Sequence, residues 1–401
     1  MKRTLGVLMA SMWCMFPCHA QQLTAVKEKL NNGKPVKIVC FGDSVTGLYY
    51  HTGGRRTYTD MLGIALEKAV PGAKVSMRNA GISGNTTVAG LKRIERDVLS
   101  HKPDLVTVMF GLNDMVRTPV ERYRKNLREM VDRCRGVGAE VILCTPNAVT
   151  DTGSRPTSKL LGYCEVVREV AESKKAPLCD IYAAFDGLRQ RDRLKWRVMM
   201  SDAIHPNMGG HKLIAEELAR TITKKDMSLA NIGPLVPAIP KVKSLVEQPK
   251  RIRVLAMTPY DRLLPAALKS FENVSLEVTP WLTSGRSLRA LETEARQRVR
   301  KMKPDLVIVA VPRAAAFESQ EEFIHSQAWI MNWSLSFGRQ EWDCVAVHPS
   351  VAEPKEGRHD DLIRKLVAAQ DLTLIDRRSG DSTPPGEILR RWFADQFSRE
   401  H

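Results

Sequence analysis

The chain has 401 residues, enough for two domains with cores of their own, and carries 61 Lys and Arg against 45 Asp and Glu for a formal net charge of +16. Most of that excess lies in residues 21–228, where it suits an anionic polymer, an anionic lipid surface or a solvated basic face. Neither a CxxC pair nor a Cys/His cluster at zinc-ligand spacing accompanies the eight cysteines, and no aromatic platform interleaves with the basic residues, so metal and nucleic acid are not expected.

In chain order, residues 1–20 place Lys2 and Arg3 before an apolar run from Leu5 to Phe16 and a small residue at Ala20. That is the pattern of a secretory signal, cleaved near Ala20 to give an exported protein, periplasmic or extracellular. The run is short for a bilayer, so no stable membrane anchor is expected. Pro17 directly before Cys18 counts against lipid attachment.

Short apolar runs then alternate with longer amphipathic ones. Strands are expected at 36–41, 74–81, 104–110, 139–146 and 176–182. Helices are expected at 58–70, 86–100, 120–136, 160–174 and 205–225. Continuous apolar strands separated by helices indicate a parallel sheet covered on both faces, with ligands at its carboxyl edge. The first domain spans 21–227. Residues 228–250, with Pro234, Pro237, Pro240 and Pro249, read as a semi-rigid linker.

Residues 251–401 repeat the first domain faintly and in order. "HKPDLVTVMFGLND" (101–114) pairs with "MKPDLVIVAVPRAA" (302–315), and "VKIVCFGDS" (36–44) with "IRVLAMTPY" (252–260). In this register Ser44 faces Tyr260, Asn113 faces Ala314 and His205 faces Pro384. The second copy therefore keeps strands and loses polar groups.

Those polar groups follow strands in the first copy. Ser44 follows 36–41, Gly84 follows 74–81, Asn113 follows 104–110, and Asp202 and His205 precede the last helix. Each alone has a plainer reading as a cap, turn or surface residue. Together they supply acyl transfer: a serine nucleophile, a histidine to take its proton, and an aspartate three residues earlier to orient that histidine. The Ser44 N–H, the Gly84 N–H and the Asn113 amide supply donors for an oxyanion. Asp43 and Asp114 read as braces, and His211 as helix surface. The loop 48–60 is a candidate substrate-binding segment through Tyr49, His51, Arg55 or Arg56.

"FGDSVTG", "ISGNTT", "GLND" and "DAIHP" resemble, in order, the four sequence blocks of the SGNH hydrolase superfamily, the GDSL esterases and lipases. The resemblance implies a flavodoxin-like three-layer α/β/α fold and ester hydrolysis without metal or cofactor. It assigns the nucleophile to Ser44, the oxyanion donors to Ser44, Gly84 and Asn113, and the base and its orienter to His205 and Asp202. The expected protein is a secreted serine esterase acting on acyl esters, acetyl above all, of a carbohydrate such as an acylated polysaccharide. It would be followed by a smaller, degenerate SGNH-like α/β domain. The alternatives are a lysophospholipase or thioesterase of the same superfamily and a non-catalytic carbohydrate-binding protein. Trp281, Trp329, Trp333 and Trp342 are candidate sugar-stacking rings. Disulfide pairing and oligomeric state are not set by the sequence.

Overall fold

The computed structural model describes residues 23–337 and 340–399; the secretory-signal pattern lies outside them. The first parallel sheet is built from β1 (Pro35–Gly42), β2 (Lys74–Gly81), β3 (Leu105–Met109), β4 (Glu140–Cys144) and β5 (Leu178–Cys179), in the order β2-β1-β3-β4-β5. This is the doubly wound order of flavodoxin-like folds. The second sheet is built from β6 (Arg251–Met257), β7 (Ser275–Trp281), β8 (Leu306–Val309), β9 (Asp343–Val347) and β10 (Leu374–Ile375). Its order, β10-β9-β8-β6-β7, is the same one read from the opposite edge.

Local chemistry explains the pattern. β3 and β4 are buried almost throughout because helices cover both faces. The outer strand β2 alternates, with Val75 and Met77 packed inward and charged neighbours outward. Pro280 is tolerated because β7 is likewise an outer strand. The helix Tyr58–Ala69 opens on a capping box between Thr57 and Asp60 and packs on the helix Met208–Thr223.

Two expectations need correction. The strand expected at 176–182 is only Leu178–Cys179, because the Asp180 side chain accepts the Ala183 N–H and starts the helix Ile181–Arg191. Within the expected linker, Pro240–Glu247 is helical. Pro240 fits the first turn, and Val242 and Leu245 bury against the second core. The six cysteines from Cys40 to Cys344 are buried free thiols.

Each sheet has its own hydrophobic core, and the two are tied by polar contacts, the Arg56–Asp371 pair among them buried. Arg56 forks onto Asp371, with Nε to Oδ2 at 2.7 Å and Nη2 to Oδ1 at 2.8 Å, and also donates to Gly233 O. Arg55 donates to Leu235 O and Pro237 O, and Arg197 pairs with Glu321 at 2.5 Å. Arg56 therefore holds the two units together, which corrects its reading as a cleft residue, while Arg55 is turned to the 228–250 segment and lines a small pocket there, away from Ser44.

Both partners of the Arg56–Asp371 pair are almost fully buried. Removing one leaves an uncompensated charge, which costs about 3–5 kcal/mol. Arg56→Met is expected to lower unfolding free energy by about that much in urea titration, and adding Asp371→Leu to recover much of it.

Candidate active site

The loops after β1, β2 and β3 meet at the carboxyl edge of the first sheet, where the chain passes from β1 to β2 on one side and then crosses from β2 to β3 on the other. At Gly42, a Cβ would lie 2.1 Å from Thr46 Oγ1 and 2.6 Å from Met109 O, so only glycine lets the chain turn there. The turn is braced by Asp43, whose Oδ1 accepts the Val45 N–H at 3.0 Å and whose backbone carbonyl accepts the Gly47 N–H at 3.0 Å. Burial pushes the Asp43 carboxyl up to about 6 against the pull of the Val45 N–H. Arg93 locks the same edge from below, donating to Gly42 O and Ala80 O at 2.9 and 2.8 Å.

Ser44 Oγ, thus presented, lies 2.9 Å from His205 Nε2, and His205 Nδ1 lies 2.8 Å from Asp202 Oδ2. The other carboxylate oxygen of Asp202 accepts the backbone N–H groups of Ile204 and His205 at 2.8 and 2.7 Å. Burial raises the Asp202 carboxyl, but the facing His205 and its hydrogen bonds outweigh burial and hold it well below the usual carboxylate range. An ionised Asp202 keeps the imidazole proton on Nδ1. The Nε2 lone pair is then free to accept the Ser44 hydroxyl proton.

Gly84 has φ +73°, a left-handed backbone that a side chain would strain. Among the described residues the N–H groups of Ser44 and Gly84 meet no protein acceptor. Asn113 stands at the N-cap position of the short helix Asp114–Arg117 but makes no capping bond. Its Nδ2 donates to Asn85 O at 3.1 Å and more distantly to Asp43 Oδ2 at 3.4 Å, while Arg155 Nη2 holds its Oδ1 at 3.3 Å. Asp114 accepts from the Thr87 N–H and hydroxyl, bracing the start of the helix Thr87–Asp97.

The loop 48–60 divides between edge and interface. Tyr49 Oη accepts the Ser83 N–H at 2.8 Å, beside Gly84. His51 is buried with its ring stacked on His205, centroids 4.0 Å apart and planes 17° apart. His51 Nδ1 lies 3.0 Å from Ser201 Oγ, which donates to Asn332 Oδ1 at 3.0 Å, so the serine accepts the His51 Nδ1 proton. Gln370 Nε2 bonds Asn332 Oδ1 at 2.5 Å and Tyr50 O at 2.9 Å. Burial, then repulsion from His205, drives His51 well below its ordinary value and keeps it neutral.

Sequence reasoning missed Arg155, Ser201, Asn332 and Gln370, none of which stands in a recognisable motif. It misread His211. That side chain is buried between two helices, and its Nδ1 accepts the Tyr58 N–H at 2.9 Å.

Chemically, the arrangement is a serine hydroxyl aimed at a base whose tautomer is fixed by a charged carboxylate. The donor atoms of His51, Asp202 and His205 lie within 4.8 Å of one another, as a metal site requires. Both His205 nitrogens and His51 Nδ1 are already committed to other partners, so coordination would have to break the chain just described. A cavity of about 810 Å³ near Asp180, Arg191, Lys195 and Lys212 contains none of these groups.

Residues 40–213 match the family described as GDSL-like Lipase/Acylhydrolase. The chain is 29% identical over 169 residues to an acetylxylan esterase of Geobacillus stearothermophilus, covering 39% of this chain and 76% of that one. It is 27% identical to an arylesterase of Vibrio mimicus over 47% of this chain and 88% of the relative. With a thioesterase 1/protease 1/lysophospholipase L1 of Escherichia coli (strain K12) it shares 26% identity over 37% and 68% of the two chains. A crystal structure of the Geobacillus acetylxylan esterase aligns at 27% identity and TM-score 0.42, covering 47% of this chain and 94% of that one.

Burial of His51 and His211 beside His205 is expected to make the fold acid-sensitive. Burial, then repulsion from His205, lowers His211 to about 3. The unfolded chain takes up this proton as pH falls through about 6.5, whereas the folded chain does so only near 3. Acid therefore favours unfolding across that window, by up to about 1.4 kcal/mol per pH unit for this group. In His211→Asn, the amide oxygen can still accept from Tyr58 and does not titrate. The fall in melting temperature between pH 6.5 and 4.5 is expected to be shallower than in the parent.

Proposed function

Given that the chain belongs, through residues 40–213, to the GDSL-like lipase/acylhydrolase family of carboxylic ester hydrolases, we propose that it removes acyl groups from esterified carbohydrate through an acyl-serine on Ser44. The observation that carries this reading is the unbroken chain from Ser44 Oγ through His205 to a charged Asp202 at an open sheet edge.

In the first step Ser44 Oγ attacks the ester carbonyl carbon while its proton passes to His205 Nε2. Asp202 stabilises the imidazolium, and the N–H groups of Ser44 and Gly84 receive the oxyanion, joined by the Asn113 amide once it gives up its long contact to Asp43 Oδ2. Collapse of the tetrahedral intermediate breaks the bond to the leaving oxygen, and His205 returns the proton to release the sugar hydroxyl. Water then attacks the acyl-serine with the same base. The products are a carboxylic acid and free Ser44.

An acetyl group is proposed because nothing beside Ser44 requires a long chain and because one relative is an acetylxylan esterase. Export, inferred from residues 1–20, would bring the enzyme to carbohydrate outside the cytoplasm. The second sheet is proposed to be a copy that lost this chemistry. Tyr260 stands in the place of Ser44, and the buried Arg377 guanidinium is spent on the carbonyls of Ser350, Val351, Asp381 and Thr383. The thioesterase and lysophospholipase reading draws on the Escherichia coli relative and differs in acyl preference.

The test is hydrolysis of p-nitrophenyl acetate, butyrate and octanoate and of acetylated xylan. Activity is expected to favour acetate, and Ser44→Ala to lower kcat by about four orders of magnitude. Preference for octanoate would support the lipid reading, and equal inactivity of both proteins would refute catalysis. A subtler variant, Asn332→Ala, releases Ser201 and with it the His51 ring that backs His205. It is expected to lower kcat about tenfold or more while KM stays near the parent value, since misplacing a catalytic group by a fraction of an ångström costs rate rather than binding.

A further inference from the structure

The second unit reaches the first unit's site with aromatic rings as well as with Asn332. Its helix Gln320–Ser334 presents Trp329 and Trp333, stacked at 5.2 Å and 27°. Tyr50, from the loop after Ser44, lies 6.3 Å from each of them, and Phe337 meets Tyr50 edge-on at 5.0 Å and Tyr49 at 6.4 Å. Tyr50 in turn lies 4.3 Å from His51, whose ring stacks on His205. The rings thus continue without a break from the base of the candidate site outward.

Tyr50 and Trp333 pack part of their surface against the second core, and the rest of the wall stays accessible. Trp281 and Trp342 are buried and bonded, through Nε1, to Glu294 and to Ser334 O, so they are not sugar-stacking surfaces. Trp329, Trp333 and Tyr50 are half-buried and Phe337 is 51% exposed. The wall carries guanidinium groups too: Arg296 lies 5.1 Å from the Trp333 ring, and Arg300 lies 5.0 Å from Phe337. Arg296 is exposed and makes no ion pair among the described residues.

An acyl chain is best held by a closed aliphatic slot, which flat half-exposed rings rimmed by cations do not make. A pyranose ring offers what this surface can use. Its C–H faces lie on indole rings, and its hydroxyls accept hydrogen bonds from arginine. We propose that Tyr50, Trp329, Trp333 and Phe337, with Arg296 and Arg300 at the rim, form a sugar subsite. It holds a pyranosyl unit of the oligosaccharide next to the one that bears the ester. The proposal deepens the carbohydrate-ester reading and rests on it. It makes the second unit a working wall of the cleft.

Trp329 lies in neither hydrophobic core, so Trp329→Ala should fold. The quantity to measure is kcat/KM for acetylated xylo-oligosaccharide divided by kcat/KM for p-nitrophenyl acetate. This ratio is expected to fall about tenfold in Trp329→Ala, mainly through KM, and to recover in Trp329→Phe, which restores a flat ring. Equal losses on both substrates would mean that the ring only supports His51, and would overturn the proposal. Binding is read independently by titrating Ser44→Ala with xylohexaose and with hexagalacturonate while following tryptophan fluorescence. A saturable change that weakens about tenfold on adding Trp329→Ala supports the subsite, even if the parent enzyme cleaves no ester tested, in which case only the proposed reaction fails. No saturable change with either sugar overturns the subsite whatever the esterase activity.

Discussion

Every strand of the first sheet runs the same way, and this constraint governs the rest of the molecule. It delivers the loops after β1, β2 and β3 to one edge, so residues separated by tens of positions become neighbours without any special attraction between them. The free energy that holds Ser44, Gly84 and Asn113 in place comes from the dry core beneath them, where Phe41, Val108 and Phe110 are almost fully buried. Polar locks then fix what packing leaves loose. Arg93 ties the carbonyls at the ends of β1 and β2, and Arg155 fixes the orientation of the Asn113 amide.

The electrostatic design around His205 is sparse. Two buried imidazoles, His51 and His211, are close enough to repel a proton on His205, and both are held neutral. Asp202 is the counter-charge in hydrogen-bond contact with the ring. In a weakly screened pocket a single well-placed carboxylate counts for more than it would in water. The stacked His51 shields one face of the His205 ring, while its own proton is anchored through Ser201 to the second unit.

The two sheets share one strand order but use their edges differently. At the first, Ser44, His205 and Asp202 are linked in a line by hydrogen bonds. At the second, the Arg377 guanidinium is consumed by backbone carbonyls. The second unit also packs on the first, and the contacts from Arg56 to Asp371, from Tyr50 to Gln370 and from Ser201 to Asn332 all run between the units.

What the sequence determined by itself was whatever is local or periodic. The apolar runs of 36–41, 104–110 and 139–146 could only be buried strands. The residues just past them had to share an edge, and Asp202 and His205 lie within one turn of each other along the chain. Ser44, Gly84, Asn113, Asp202 and His205 were therefore legible as a set. Only tertiary structure decided the fate of side chains that reach across the molecule. Arg56 looks like a cleft residue until the second unit supplies Asp371, and Arg55 until the 228–250 segment supplies the carbonyls of Leu235 and Pro237. His211 looks like helix surface until the helix Tyr58–Ala69 covers it. Asn332 and Gln370 carry no local signal, and nothing local separates the ring pair Trp329–Trp333 from the buried Trp281 and Trp342. Their positions follow from how two separately built cores dock, and docking depends on surface shape and pairing that no short window of sequence contains.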